Sequence, residues 1–228
     1  MSFTDELAPV VEPIWDEINH HPMVEGIGDG TLDEEPFLYW VKQDYVYLID
    51  YGRLFALGTA NAHSLQHMSQ FAELLDSIIN TEMELHRSYA ADFGISLDEL
   101  ENTTPSPTTR AYTDFLIRTA ALGTFGDTVA ALLPCMWGFN QTGTHLANRG
   151  IPDHEQYADW IEMYAGEEFS ELTDWCLDLM DAVAADASPT QLARYRSLVE
   201  LSALYEYQFW DAAWTREEWP VRRQEGSP

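Results

Sequence analysis

Residues 36–62 read PFLYWVKQDYVYLIDYGRLFALGTANA. Pro36 suits a first helical turn, where its missing N–H is not needed, and the pattern after it predicts a long helix to about Ala62. Within it Phe37, Trp40, Asp44, Tyr47 and Tyr51 fall three or four residues apart and so share one face. Four aromatic rings on that face predict burial, and Asp44 is carried inward with them.

The same period extends in both directions. Leu7, Val10, Val11, Ile14, Trp15 and Ile18 predict a first amphipathic helix, which Pro22 and the three glycines of HPMVEGIGDGTL interrupt. The Gly-x-Gly-x-Gly in that segment comes after no strand, so a plain loop is expected rather than a nucleotide cradle. Ser64 caps a helix with Met68, Phe71, Leu75, Ile78 and Ile79 on its stripe, and SLDE from Ser96 opens a short one. Ser106-Pro107 starts another, carrying Tyr112, Phe115, Leu116 and Thr119 to Gly123. Further helices are expected over 125–149, 155–164, 168–185 and from Ser188 to Trp214. No period-two strand, internal repeat or low-complexity linker occurs. The architecture expected is an all-α helical bundle forming one domain over residues 1–228, with any site between helices.

Composition limits the function. The 228 residues are 46% hydrophobic and 13% aromatic, enough to bury a sizeable core. Acids outnumber bases 39 to 11 for a formal charge of −28, and Lys42 is the sole lysine. An acidic surface nearly free of lysine suits concentrated salt, where the Debye length is about 3 Å or less and like charges repel weakly. A halophilic habitat is the expectation, and nucleic-acid binding by a basic groove is excluded. With neither a basic leader nor an apolar run of membrane-spanning length, a cytoplasmic protein with no membrane partner is expected. Cys135 and Cys176 are expected to remain thiols.

Three groups could carry chemistry. Asp44 interrupts an aromatic stripe, and Glu206 interrupts another made by Val199, Ala203, Trp210 and Ala213. Inward carboxylates need hydrogen bonds or a proton, and burial moves them toward proton transfer at neutral pH. The structural alternative ties each to a cap or to an arginine such as Arg53 or Arg118. Pro134 removes a helical hydrogen bond and disfavours helix at Leu133. A kink or restart there would leave Cys135 near a helix N-terminus, where a thiolate is favoured, with Phe139 one turn on. Thiol, acids and rings together suit a flat heteroaromatic ligand. Cys176, beside Leu172, Leu179 and Met180, reads as core. His63 and His67, with Glu82 and His86, form two i, i+4 half-sites that could hold a metal pair. No Glu-x-x-His motif of a carboxylate-bridged di-iron bundle occurs, and no metal or other cofactor is expected.

The segments HPMVEGIGDGTL, YWVKQDYVYLIDY, RAYTDFL, LLPCMWGF, WIEMYAGEEF and LYEYQFWDAAW, in this order, resemble the TenA, or thiaminase II, family along nearly the whole chain. The resemblance implies a heme-oxygenase-like all-α fold without haem, assembled as a homotetramer. It implies hydrolysis of 4-amino-5-aminomethyl-2-methylpyrimidine, and of thiamine, to hydroxymethylpyrimidine in thiamine salvage. It further implies Cys135 as nucleophile, Glu206 as the acid/base serving the leaving group and Asp44 as the carboxylate gripping the aminopyrimidine. Tyr47, Tyr112, Phe139 and Tyr164 would line the pocket; Phe139 stands where many members carry tyrosine and offers one hydrogen bond fewer. The alternatives are a non-catalytic pyrimidine or thiamine binder of the same fold and a helical oxidase on this scaffold.

Overall fold

Hydroxyl side chains set where helices begin. The oxygens of Ser2, Ser64, Ser96, Ser106, Thr124 and Ser188 each accept the backbone N–H three residues on, a cap that contributes about 1 kcal/mol. The computed structural model describes residues 2–221 and is helical throughout, with no strand among them. The helices are α1 (Phe3–Asn19), α2 (Pro22–Asp29), α3 (Glu34–Asn61), α4 (Leu65–Ser77), α5 (Met83–Asp92), α6 (Leu97–Glu101), α7 (Pro107–Leu122), α8 (Phe125–Arg149), α9 (Glu155–Ala165), α10 (Glu167–Ala185) and α11 (Pro189–Thr215). A π-helical turn, Ile78–Glu82, joins α4 to α5. This is the all-α bundle expected.

Helix α8 is the centre. It packs against α1, α3, α7, α9, α10 and α11, and every residue from Phe125 to Pro134 is buried. Its approach to α9 is so close that a Cβ on Gly143 would lie 2.8 Å from the Tyr164 carbonyl carbon. Only glycine fits there, and the contact fixes where Tyr164 stands. Polar ties set the other helices. The Gln43 side-chain oxygen accepts from Ser106 N–H and the Thr109 hydroxyl, both at 2.8 Å, which docks the start of α7 on α3. The Ser202 hydroxyl donates to the Ala131 carbonyl at 2.7 Å, fixing α11 against α8 one turn before Cys135.

Three expectations are corrected. The glycine-rich segment is mostly the helix α2 rather than a loop, with Gly26 and Gly28 inside it and Gly30, at φ 69°, ending it in the left-handed conformation. On α4 the stripe holds for Phe71 and Ile78, whereas Met68 and Ile79 are 38% and 52% exposed. Ile79 already lies about 80° round the helix from Phe71 at the ordinary 100° per residue, and the π-helical turn that starts at Ile78 rotates the chain beyond it, where His86 is buried. Pro134 does not break α8, so Cys135 lies mid-helix and not at an N-terminus. A proline inside a helix costs about 3 kcal/mol, but burying Val129, Leu132, Leu133 and Met136 contributes roughly 1.5–3 kcal/mol each. Packing wins.

Candidate active site

Asp44, Tyr47, Tyr112, Phe139, Glu206 and Phe209 line a small, narrow cleft between α3, α7, α8 and α11. Its free space lies well below the roughly 300–1,000 Å³ of pockets for drug-sized ligands. The inward turn expected for both carboxylates holds: Asp44 is 6% and Glu206 2% exposed. Neither is tied to an arginine in the way the structural alternative required, since Arg53 pairs with Asp50. A wider surface groove bordered by Tyr39, Arg110, Glu217 and Trp219 has no thiol and no fully buried carboxylate.

Glu206 accepts a hydrogen bond from the Tyr112 hydroxyl at 2.5 Å. Burial pushes the Glu206 carboxyl up to about 8, with the negative charge of Asp44 adding to the effect while hydrogen bonds from Tyr112 and Cys135 oppose it. It therefore titrates where a proton carrier is useful. Burial also pushes the Cys135 thiol well above its ordinary value, and the charge on Glu206 adds to this, although the Tyr47 and Tyr51 hydroxyls pull the other way. The resting sulfur is a thiol rather than the thiolate expected from a helix N-terminus. Cys135 nonetheless keeps some exposure, whereas Cys176 is fully enclosed, with its thiol pushed up to about 12 by burial.

The aromatic residues divide into lining and backing. Tyr47 stacks against Tyr51 at a centroid distance of 5.3 Å and lies equally close to Tyr112. The buried hydroxyls of Tyr47 and Tyr51 have no well-formed hydrogen-bond partner, leaving them to the thiol and to whatever enters the cavity. Tyr164 does not line the cavity itself. It packs behind Phe139 at 4.8 Å, held by the Asn140 side chain, which donates to the Tyr164 carbonyl at 3.0 Å. Trp40 and Trp210 stack nearly parallel at 6.2 Å and back Phe139.

Two residues have a place in the site that the sequence did not reveal. His86 and Glu82 read as a metal half-site, yet His86 Nε2 lies 2.5 Å from Asp44 Oδ2 and the Glu82 side chain is close enough to feel both. Their i, i+4 spacing is the available signal; it lacks the π-helical turn that aims them at α3. His63 and His67 instead pack beside Phe125. Among the described residues no group of three or more His, Cys, Asp or Glu could hold a metal ion, and no helix is long and apolar enough to cross a membrane.

The TENA/THI-4/PQQC family model matches residues 8–216. The chain is 44% identical over 222 residues to the aminopyrimidine aminohydrolase of Halalkalibacterium halodurans, an alignment covering 96% of this chain and 98% of that protein. A TenA homologue from P. horikoshii OT3 superposes with a TM-score of 0.88 at 26% identity, covering 94% of this chain and 99% of that one. A domain of unknown function with a heme oxygenase-like fold, from Shewanella denitrificans OS217, superposes with a TM-score of 0.72 at 13% identity, covering 93% and 92% of the two chains. That likeness is one of fold alone.

Proposed function

Because the chain belongs to the TENA/THI-4/PQQC family, we propose that it hydrolyses 4-amino-5-aminomethyl-2-methylpyrimidine to the hydroxymethylpyrimidine in thiamine salvage, through Cys135, Glu206 and Asp44. The observation that carries the reading is the Cys135 thiol within hydrogen-bond reach of Glu206, Tyr47 and Tyr51, beside a small aromatic-lined cleft into which the two buried carboxylates Asp44 and Glu206 face. A binder that only holds a pyrimidine needs neither the thiol nor a carboxyl that titrates near 8.

The protons balance on one carrier. As the Cys135 sulfur bonds to the pyrimidine ring, its proton passes to the Glu206 carboxylate, and the electron pair brought into the ring expels the amine from the exocyclic methylene. Glu206 gives that proton to the departing amine. Water then adds to the methylene and returns a proton to Glu206; the ring regains aromaticity, and the expelled sulfur takes the proton back. Asp44 accepts the N–H groups of the aminopyrimidine throughout, and Tyr47, Tyr112 and Phe139 hold the ring plane. Tyr164 supports Phe139 from behind. Thiamine is the second substrate in this reading, with its thiazolium as leaving group. The small cavity leaves that second ring to reach outward, so turnover of thiamine should be slower. Incubating the protein with each substrate and following hydroxymethylpyrimidine tests the reading. Tight binding of hydroxymethylpyrimidine with no turnover of either substrate would establish the binder instead.

The homotetramer and cytoplasmic setting implied by the resemblance belong to the same proposal; Leu201 and Leu204, exposed on α11, are apolar surface that assembly would cover. So does the halophilic setting. With a formal charge of −28 and a single lysine, self-repulsion should dominate in dilute buffer. The melting temperature is expected to rise steadily from dilute buffer to molar salt. A flat or falling curve would remove the halophilic reading.

A further inference from the structure

His86 stands between two hydrogen-bond acceptors. Its Nδ1 lies 2.9 Å from the Glu82 carbonyl oxygen, which can only accept, so Nδ1 carries a hydrogen. A neutral imidazole protonated there has a bare lone pair at Nε2, and Nε2 faces Asp44 Oδ2 at 2.5 Å. Two lone pairs do not approach so closely without a proton between them. The pair therefore holds one proton more than a neutral histidine and a carboxylate would carry.

We propose that His86 is a positioning residue for substrate recognition: held as an imidazolium between the Glu82 carbonyl and Asp44, it keeps Asp44 a carboxylate whose other oxygen takes the N–H donors of an aminopyrimidine. The proposal deepens the function given above and rests on it for the identity of the ligand. Nearby bases are committed elsewhere: Lys42 is turned onto Glu99 and Arg53 onto Asp50. The cation beside Asp44 is thus the histidine. Burial alone would push His86 down, but the hydrogen bond and charge of Asp44, with the Glu82 carbonyl and carboxyl, outweigh it and raise it. The other groups around the pair are the Tyr164 hydroxyl on α9, Cys135 on α8, Glu206 on α11 and the Trp40 ring on α3, whose centroid is 6.2 Å from that of His86. None of them is a cation, so none can replace His86 in this role.

The resulting specificity is for a ring presenting exocyclic amino N–H donors. A carboxylate aimed into an aromatic cavity rewards such donors and rejects a ring that offers an oxygen in their place, because two acceptors would then face each other.

Nitrogen-15 NMR of the histidine-labelled full-length protein at about pH 8, together with kinetics of His86→Leu and His86→Gln, tests the proposal. The ligand-free wild type should show both His86 ring nitrogens protonated; a neutral ring there overturns the proposal whatever the substrate proves to be. In His86→Leu, KM for the aminomethylpyrimidine should rise about tenfold or more, with a smaller fall in kcat. His86→Gln, which retains a neutral donor, should recover part of KM. A fall in kcat with KM unmoved would overturn the proposal. Should the wild type turn over neither pyrimidine, the proposed function fails, while the nitrogen spectrum still decides the state of the pair.

Discussion

Cys135→Ser is expected to lower turnover of the aminomethylpyrimidine by about 10³-fold or more while the protein remains folded. The size of the loss reflects the resting state of the site. Even the sulfur is held as a thiol, by burial and by the charge on Glu206, so it must shed a proton as it attacks. A hydroxyl is far harder to deprotonate, and a carboxylate titrating near 8 is too weak a base to do it. Folding should survive because the substitution is nearly isosteric and because the serine oxygen offers the Tyr47 and Tyr51 hydroxyls a better acceptor than sulfur. The melting temperature therefore separates lost chemistry from lost structure. Cys176→Ser supplies the control: that thiol is wholly enclosed on α10, and its loss should affect stability more than rate. Near-normal turnover by Cys135→Ser would end the covalent mechanism while leaving the fold and family untouched.

The fold was legible because its signals are local. Hydroxyl caps and helical periodicity placed α7, α8, α9, α10 and α11 to within a residue or two at their ends. Asp44 and Glu206 were legible for the related reason that a carboxylate in an aromatic stripe has nowhere to point but inward. The failures were non-local. Pro134 reads as a break in isolation, yet the helix around it is buried on all sides and packing carries it through. The α2 glycines read as a plain loop, yet a Cβ on Gly28 would meet the Leu146 side chain at 2.7 Å, which makes that residue a place of close contact. His86 is the instructive case: its spacing to Glu82 was visible, but its partner is 42 residues away on another helix, and only the inserted π-helical turn sets the rotation that joins them.

Glu206→Gln should lower hydrolysis of the aminomethylpyrimidine more than hydrolysis of thiamine, and Asp44→Asn should damage both. The distinction lies in the needs of each leaving group. Both substrates require the Cys135 proton to be taken up, for which Glu206 must be a carboxylate. The amine must in addition receive a proton as it departs, whereas the thiazolium nitrogen already carries its charge. In the wild type, Glu206 is protonated below about 8 and cannot accept the thiol proton, so kcat/KM should rise with pH toward about 8. That limb should vanish in Glu206→Gln, since the amide does not titrate. Asp44→Asn retains the volume but replaces an acceptor with a group that is half donor, so the substrate amino group loses its partner and KM rises for either substrate. It also removes the negative charge that helps hold Glu206 up, so any limb that survives should lie at lower pH. Saturating kinetics and pH profiles on both substrates would separate these effects. Equal losses on the two substrates in Glu206→Gln would mean that Glu206 serves a step they share, the deprotonation of sulfur, and that some other group or water protonates the amine.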